Sequence, residues 1–405
     1  MTIFEVLHNF TDIIIVLMLL RFVTLKTKRL KLNFIGVVFY IFIILSFFSF
    51  LFSQASFFAY FIKMWVLARY MILAYVVYNI NIDRTTFNHI LKLVRISFYI
   101  QVLVGSLQLL DIQLINDIFI PRVGFSEGSN WYLKGETDIA GTFRFTVFYG
   151  YFILSSFVLL FSFRKGKKEK VLLIILAVIF SYVSGSRIAL LGVVIFILQN
   201  LYYKNRGIFY MGIVTVLFFL IFNGWSVNKR VDNVGSVSGL FSTNYYDASS
   251  KFGRVGIFRV IPLFFEAKPK EVLIGFSHDE KELTTFLYKY FNVLPAILRN
   301  NVAIGIEDVY WIAQLCYYGI VGFLLFIIFY LKLIFKINKR LKQENFNENK
   351  RLLKAVKYLL LIGVISGFVN QSLSIKSFSF FMWLSLGLIM NLTASRKISK
   401  RIKRH

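Results

Sequence analysis

The sequence predicts an all-α, polytopic membrane protein, and three observations carry that reading. The 405 residues are 58% hydrophobic and 18% aromatic, with 47 Phe and 4 Pro. Only 17% are charged, against about 25% for an ordinary soluble domain. The apolar excess comes in blocks long enough to cross a hydrocarbon core of roughly 30 Å as helices. The third observation is where the charge lies. Nearly the whole net charge of +27 falls in short basic runs at every second gap between blocks. A secreted soluble enzyme, a disordered chain and a disulfide scaffold are excluded.

Blocks read by length and apolar character predict eleven spans, at 7–25, 33–53, 56–80, 90–110, 143–163, 171–185, 187–203, 207–224, 307–335, 355–373 and 375–394. The basic gaps are Lys26 to Lys31, Arg84 to Arg95, Arg164 to Lys170, Lys204 to Arg206, Lys332 to Lys357 and the tail from Arg396. Basic residues concentrate on the cytoplasmic side, so the N-terminus is expected outside and the C-terminus inside. A nucleic-acid partner would need one basic face with groove-reading or stacking elements, and none is present. The first block lacks a basic n-region and a cleavage site, so it reads as a span rather than a signal peptide. Cys316 is alone, so no disulfide forms within one chain.

No internal repeat or linker divides the chain, and residues 1–405 read as a single membrane domain. Two segments stay outside: Asp111 to Thr142, and the large extracytoplasmic loop at 225–306. Loops of that length are usually functional. Within it, Phe258, Ile261, Phe264 and Phe265 have helical apolar spacing, which predicts an amphipathic helix near 254–266. Val171 to Val183 and Ile188 to Tyr203 would reach only roughly 20–24 Å at 1.5 Å per residue. Their tip, Ser184-Gly185-Ser186-Arg187, is therefore expected below the outer surface, as a tight turn or the floor of a wet cavity.

Several residues are candidates for chemistry. Ser186 suits a helix N-cap, and Arg187 presents a planar, permanently charged fork that matches phosphate oxygens. Arg254 and Arg259 sit five apart on the expected amphipathic helix, so one of them at most shares the site. Glu307, Tyr310, Trp311 and Gln314 form a stripe at i, i+3, i+4, i+7, read as an exposed polar-aromatic face suited to a sugar. Asp308 beside Glu307 is the better helix cap by type. Lys63 and Arg69 lie inside the third span, where a charge costs on the order of 3 kcal/mol. One is expected to meet lipid phosphate and the other to pair or snorkel, and Arg144 to join the cavity from outside. The four histidines are scattered without metal-ligand spacing, and no nucleotide-binding loop or nucleophilic serine elbow appears. No metal or cofactor is expected.

The order of these features resembles the O-antigen ligase and Wzy-type polysaccharide polymerase superfamily. The resembling parts are the Ser-x-Ser-Arg hairpin, the long loop with Gly253-Arg254, the Leu273-Ile274-Gly275-Phe276 turn, and the span with Gly319-Ile320-Val321-Gly322. They cover about residues 140–335. The resemblance implies a GT-C-type glycosyltransferase fold in a bacterial inner membrane. It implies an undecaprenyl-diphosphate-linked glycan as donor, membrane lipid as surroundings, and a chain-length regulator and a flippase as partners. It maps the family's tip arginine onto Arg187 and its loop arginine onto Arg254. Ligases place a histidine before an Asn-x-Tyr where this chain has Glu307-Asp308-Val309-Tyr310, which favours a repeat-unit polymerase with Glu307 as base. Asp308 is second choice and His278 third; a ligase or a lipid-linked oligosaccharide flippase are the rival readings. Cysteine labelling in a background lacking Cys316 is expected to find 225–306 accessible from outside. Labelling only after the inner face is permeabilised would reverse the topology.

Overall fold

The computed structural model describes residues 3–24, 34–52, 56–80, 82–119, 139–143, 146–164, 166–204, 271–276, 310–368, 373 and 375–402. Of these residues 88% are helical and none is in a strand. The helices are α1 (Ile3–Thr24), α2 (Phe34–Phe52), α3 (Phe57–Asn79), α4 (Arg84–Leu109), α5 (Gln113–Phe119), α6 (Thr146–Phe163), α7 (Lys167–Val183), α8 (Arg187–Lys204), α9 (Glu271–Ile274), α10 (Tyr310–Gln343), α11 (Asn347–Ser366) and α12 (Lys376–Ile402). All but the short α5 and α9 fall on predicted apolar blocks. The block at 207–224 and the helix expected near 254–266 lie outside the described residues. α4, α6 and α10 are long and apolar enough to cross a membrane, and α3 makes a fourth if its two halves, bent by 46°, count as one span.

α6 is the central helix. Every residue from Tyr149 to Leu160 is buried, as befits a helix that is apolar on all sides. It packs against α4, α7, α8, α11 and α12. The hydroxyls of Ser155 and Ser156 donate to the carbonyls of Tyr151 and Phe152, four residues back, so they enter the core without losing hydrogen bonds. α3 and α12 pack closely because Gly387 leaves room for the backbone of Ala74 and the side chain of Val77. The Asn391 amide, buried in α12, donates to the carbonyls of Val77, Tyr78 and Ile80, satisfying acceptors that the end of α3 leaves open. At the start of α4, Asp83 accepts from the Thr86 N–H at 2.8 Å. Hydrogen bonds from Thr86 hold its carboxyl below the ordinary value.

Two expectations about helix length need correction. α7 begins at Lys167, inside the basic run, and has 17 residues; α8 has 18. At 1.5 Å per residue they reach roughly 25–27 Å, because the lysines continue the helix rather than ending it.

The second correction is larger. The block predicted as one straight span at 307–335 folds back on itself. Gly319 has φ 63° and ψ −172°, which is non-helical. Trp311 and Tyr330 are 19 positions apart, which along a straight helix is roughly 28 Å. Their ring centroids are 5.9 Å apart, as are those of Trp311 and Phe323. α10 is therefore two antiparallel arms, 310–318 and 320–343, joined at Gly319. Its membrane-crossing character belongs to the second arm.

The turn is held by α9. Phe276 N–H donates to the Cys316 carbonyl at 2.8 Å, and Gly275 has φ 101°. A Cβ on Gly275 would lie 2.2 Å from the Tyr317 carbonyl oxygen, and one on Gly319 would lie 2.4 Å from that of Leu273. Both glycines combine a positive φ with backbone-to-backbone contact, where no side chain fits. Gly275→Ala and Gly319→Ala are each expected to destabilise by several kcal/mol, since strain and clash add. A fall in melting temperature of the detergent-purified protein checks this; a Gly319→Ala variant as stable as the parent would refute the backbone junction.

Candidate functional site

The candidate site is the turn between α7 and α8 and the segment that covers it. α7 ends through the N–H of Ser184, which donates to Phe180, and Gly185 reverses the chain with φ 64°. The Ser184 hydroxyl donates to the Ser181 carbonyl at 2.7 Å and accepts from the Ser186 N–H at 3.2 Å. The Ser186 carbonyl then accepts from Leu190, opening α8. Ser184 and Ser186 are buried, while Arg187 is exposed. The turn sits directly on α6 at Gly150, where a Cβ would come within 2.6 Å of both the Ser184 hydroxyl and Ser186 Cβ. Of the two readings left open for this tip, the tight turn is the one present. Its serines are packed rather than lining open space, and only the arginine projects.

Beside the turn runs a non-helical segment, Ile139 to Phe143, closed on itself where the Phe143 N–H donates to the Ala140 carbonyl at 2.9 Å. Backbone without helix or sheet must find hydrogen-bond partners when buried, and two glutamines of α4 supply them. Gln108 Oε1 accepts from Ala140 N–H at 3.2 Å and Gly141 N–H at 2.8 Å, and Gln108 Nε2 donates to the Gly141 carbonyl at 2.9 Å. One turn pair back, Gln101 Oε1 accepts from Thr142 N–H at 3.0 Å and its Nε2 donates to the Thr142 hydroxyl. Ile139 N–H donates to Val183, the last residue of α7. Tyr149 OH donates to the Gln101 carbonyl at 3.1 Å. Gly141 takes φ 56° against Gln101 and Tyr149. The segment is thus fastened to α4, α6 and α7, and it leads straight into Arg144, which itself lies outside the described residues.

Arg187 is the first residue of α8. Cations are disfavoured at that end of a helix dipole, so the residue gains nothing for α8 by being positive there. None of the ion pairs among the described residues uses it. A guanidinium there offers five donors in a planar fork, the geometry that matches a carboxylate or phosphate.

The remaining sequence candidates divide. Arg69 takes the ion-pair role: its Nη1 donates to both Asp12 carboxylate oxygens, at 2.8 and 3.0 Å, and Lys376 Nζ reaches Asp12 Oδ2 at 3.0 Å. The guanidinium also lies 4.8 Å from the Tyr70 ring centroid. This cluster ties α1, α3 and α12 together. Lys63 lies in α3, and its side chain is outside the described residues, as are Arg254, Arg259, His278, Glu307 and Asp308. Tyr310 corrects the exposed-face expectation. Tyr310, Trp311 and Gln314 are all buried, because the fold-back presses arm 310–318 against 320–343 and α11. Trp311 Nε1 donates to the Val364 carbonyl at 2.8 Å. Among the described residues of the stripe, Tyr310, Trp311 and Gln314 form a packing face rather than an exposed one.

Set against protein-family models and curated proteins, the chain matches none. The site is therefore read from its own geometry. Gln108→Leu keeps volume but leaves three backbone groups of 140–141 unpaired, each costing about 1–3 kcal/mol when buried. It is expected to lower the melting temperature and open 111–142 to proteolysis, both measurable on purified protein; unchanged protease resistance would show the segment is held otherwise.

Proposed function

We propose that this chain is an eleven-span glycosyltransferase of the bacterial inner membrane, N-terminus out and C-terminus in. In this reading it joins undecaprenyl-diphosphate-linked oligosaccharide repeats into O-antigen, capsular or exopolysaccharide. The observation that carries the reading is Arg187: an exposed guanidinium fixed on a buried Ser-Gly-Ser turn, at a helix end where it serves no stability role. A planar, permanently charged fork so placed suits a diphosphate. The alternating basic gaps put this turn on the outer side, where a lipid-linked glycan would be presented.

In the reaction, an acceptor sugar hydroxyl attacks C1 of the donor chain's reducing-end sugar, with inversion. The new C1–O bond forms as the bond from C1 to the diphosphate oxygen breaks. The hydroxyl proton passes to a base, which we assign to Glu307, and the electron pair leaves on the lipid diphosphate. Arg187, with Arg254 from the long loop, stabilises the charge developing on that leaving group. Fixed charges of this kind supply a large share of many enzymes' rate enhancement.

Arg187→Lys keeps the charge and loses the bidentate fork. Polymer formation in cells is expected to fall on the order of a hundredfold, the scale of losing one donor to a developing charge, at normal protein level; near-normal polymer would remove Arg187 from the mechanism. Glu307→Gln is expected to bind donor yet make essentially no polymer, whereas Asp308→Asn costs mainly stability. The reverse pattern would exchange their roles, and two active variants would put the base elsewhere.

A further inference from the structure

The second arm of α10 carries two stripes. Gly322, Phe326, Phe329, Tyr330, Leu333 and Ile337 face the core. On the opposite side Val321, Leu324, Ile328 and Leu331 are exposed at 42, 49, 44 and 47%, and Phe335 at 70%. The spacing of three and four residues keeps all five on one face. Toward the end of the stripe stand Lys332, Lys336 and Lys339, each exposed, with Lys332 and Lys339 along its edge and Lys336 on the flank nearer the core.

From Val321 to Leu331 the apolar stretch runs roughly 15 Å, half of a hydrocarbon core of roughly 30 Å. It matches an acyl chain in one leaflet, ending at lysines. Like charges four apart weaken a helix, and Lys332, Lys336 and Arg340 stand at that spacing. Partial desolvation and the neighbouring Arg340 and Lys332 all depress the Lys336 pKa. A row of cations at the end of an apolar track suits a headgroup phosphate. An acidic protein segment would supply charge, but it would have no use for an apolar track in line with the lysines.

We propose that this face is a binding site for an anionic phospholipid, its acyl chain along Val321–Leu331, its phosphate among Lys332, Lys336 and Lys339, and Phe335 at the boundary. The site does not depend on the glycosyltransferase reading. The test is native mass spectrometry of the full chain released from detergent, incubated with phosphatidylglycerol or phosphatidylcholine of equal chain length. The parent should retain phosphatidylglycerol preferentially, and high salt should weaken that preference. At about 1 kcal/mol per lysine near an anionic surface, roughly fivefold each, the triple variant Lys332→Gln, Lys336→Gln, Lys339→Gln should lose retention on the order of a hundredfold. Arginine at the three positions should keep it. So should removing equal charge at Lys397, Lys400 and Lys403. Equal retention of both lipids by the parent, unchanged retention by the glutamine variant, or equal loss in the tail variant would each overturn the site. Should the glutamine variant fail to fold, the parent's lipid preference and its salt dependence decide the matter.

Discussion

Backbone that leaves a helix inside a membrane protein must find hydrogen-bond partners there, and that constraint organises the region around Arg187. Residues 139–143 pass along the α7–α8 turn without helix or strand. They are tolerated because Gln101 and Gln108 offer them carbonyl and amide groups in the manner of a neighbouring strand. Each glutamine can donate and accept at once, so two side chains satisfy the N–H groups of Ala140, Gly141 and Thr142 and the Gly141 carbonyl. With the segment fixed, Ile139 secures the end of α7, and the turn is pressed onto Gly150. Among the described residues of this platform, Arg187 is the charged group left exposed. The proposed function uses it as a fixed charge facing the leaving group, where preorganisation counts most.

A second constraint acts where α9 meets α10. Gly275 and Gly319 bring two backbones together with no side chain between them, and the price is a residue outside normal helical geometry. The return is an aromatic stack between the arms of α10, in which Trp311 meets Phe323, Tyr330 and Phe368. The Asp12–Arg69–Lys376 cluster does comparable work for α1, α3 and α12. A buried arginine is tolerable when it is paired and hydrogen-bonded; here Nη1 of Arg69 donates to both Asp12 oxygens, which fixes α3 on α1, while Lys376 binds α12 to the same carboxylate.

Much of this was legible in the sequence, and the exceptions have physical reasons. Helix positions followed from apolar block length, because a spanning helix has little freedom in how many apolar residues it needs. The turn at 184–187 followed from Gly185 and the flanking helices. The fold-back of α10 did not, since 315–331 is apolar without interruption. Its signals were a block longer than the roughly 20 residues a span requires and a glycine at its middle. Helical spacing placed Tyr310, Trp311 and Gln314 on one face but carries no information about what that face meets. Arg69 was recognisable as a costly charge, yet Asp12 and Lys376 are 57 and 307 positions away, and hydropathy does not pair distant charges. Gln101 and Gln108 were overlooked altogether, although two glutamines seven apart in an apolar span share one face and so signal a common polar partner.

The proposal that this chain lengthens lipid-linked glycans is tested most directly by reconstitution. The purified protein would be placed in liposomes with the lipid-linked glycan that accumulates in a strain lacking it. The account predicts a ladder of lipid-linked chains of two or more repeats, resolved by gel or mass spectrometry. Donor recovered as single repeats, with the protein folded and correctly oriented, would contradict it.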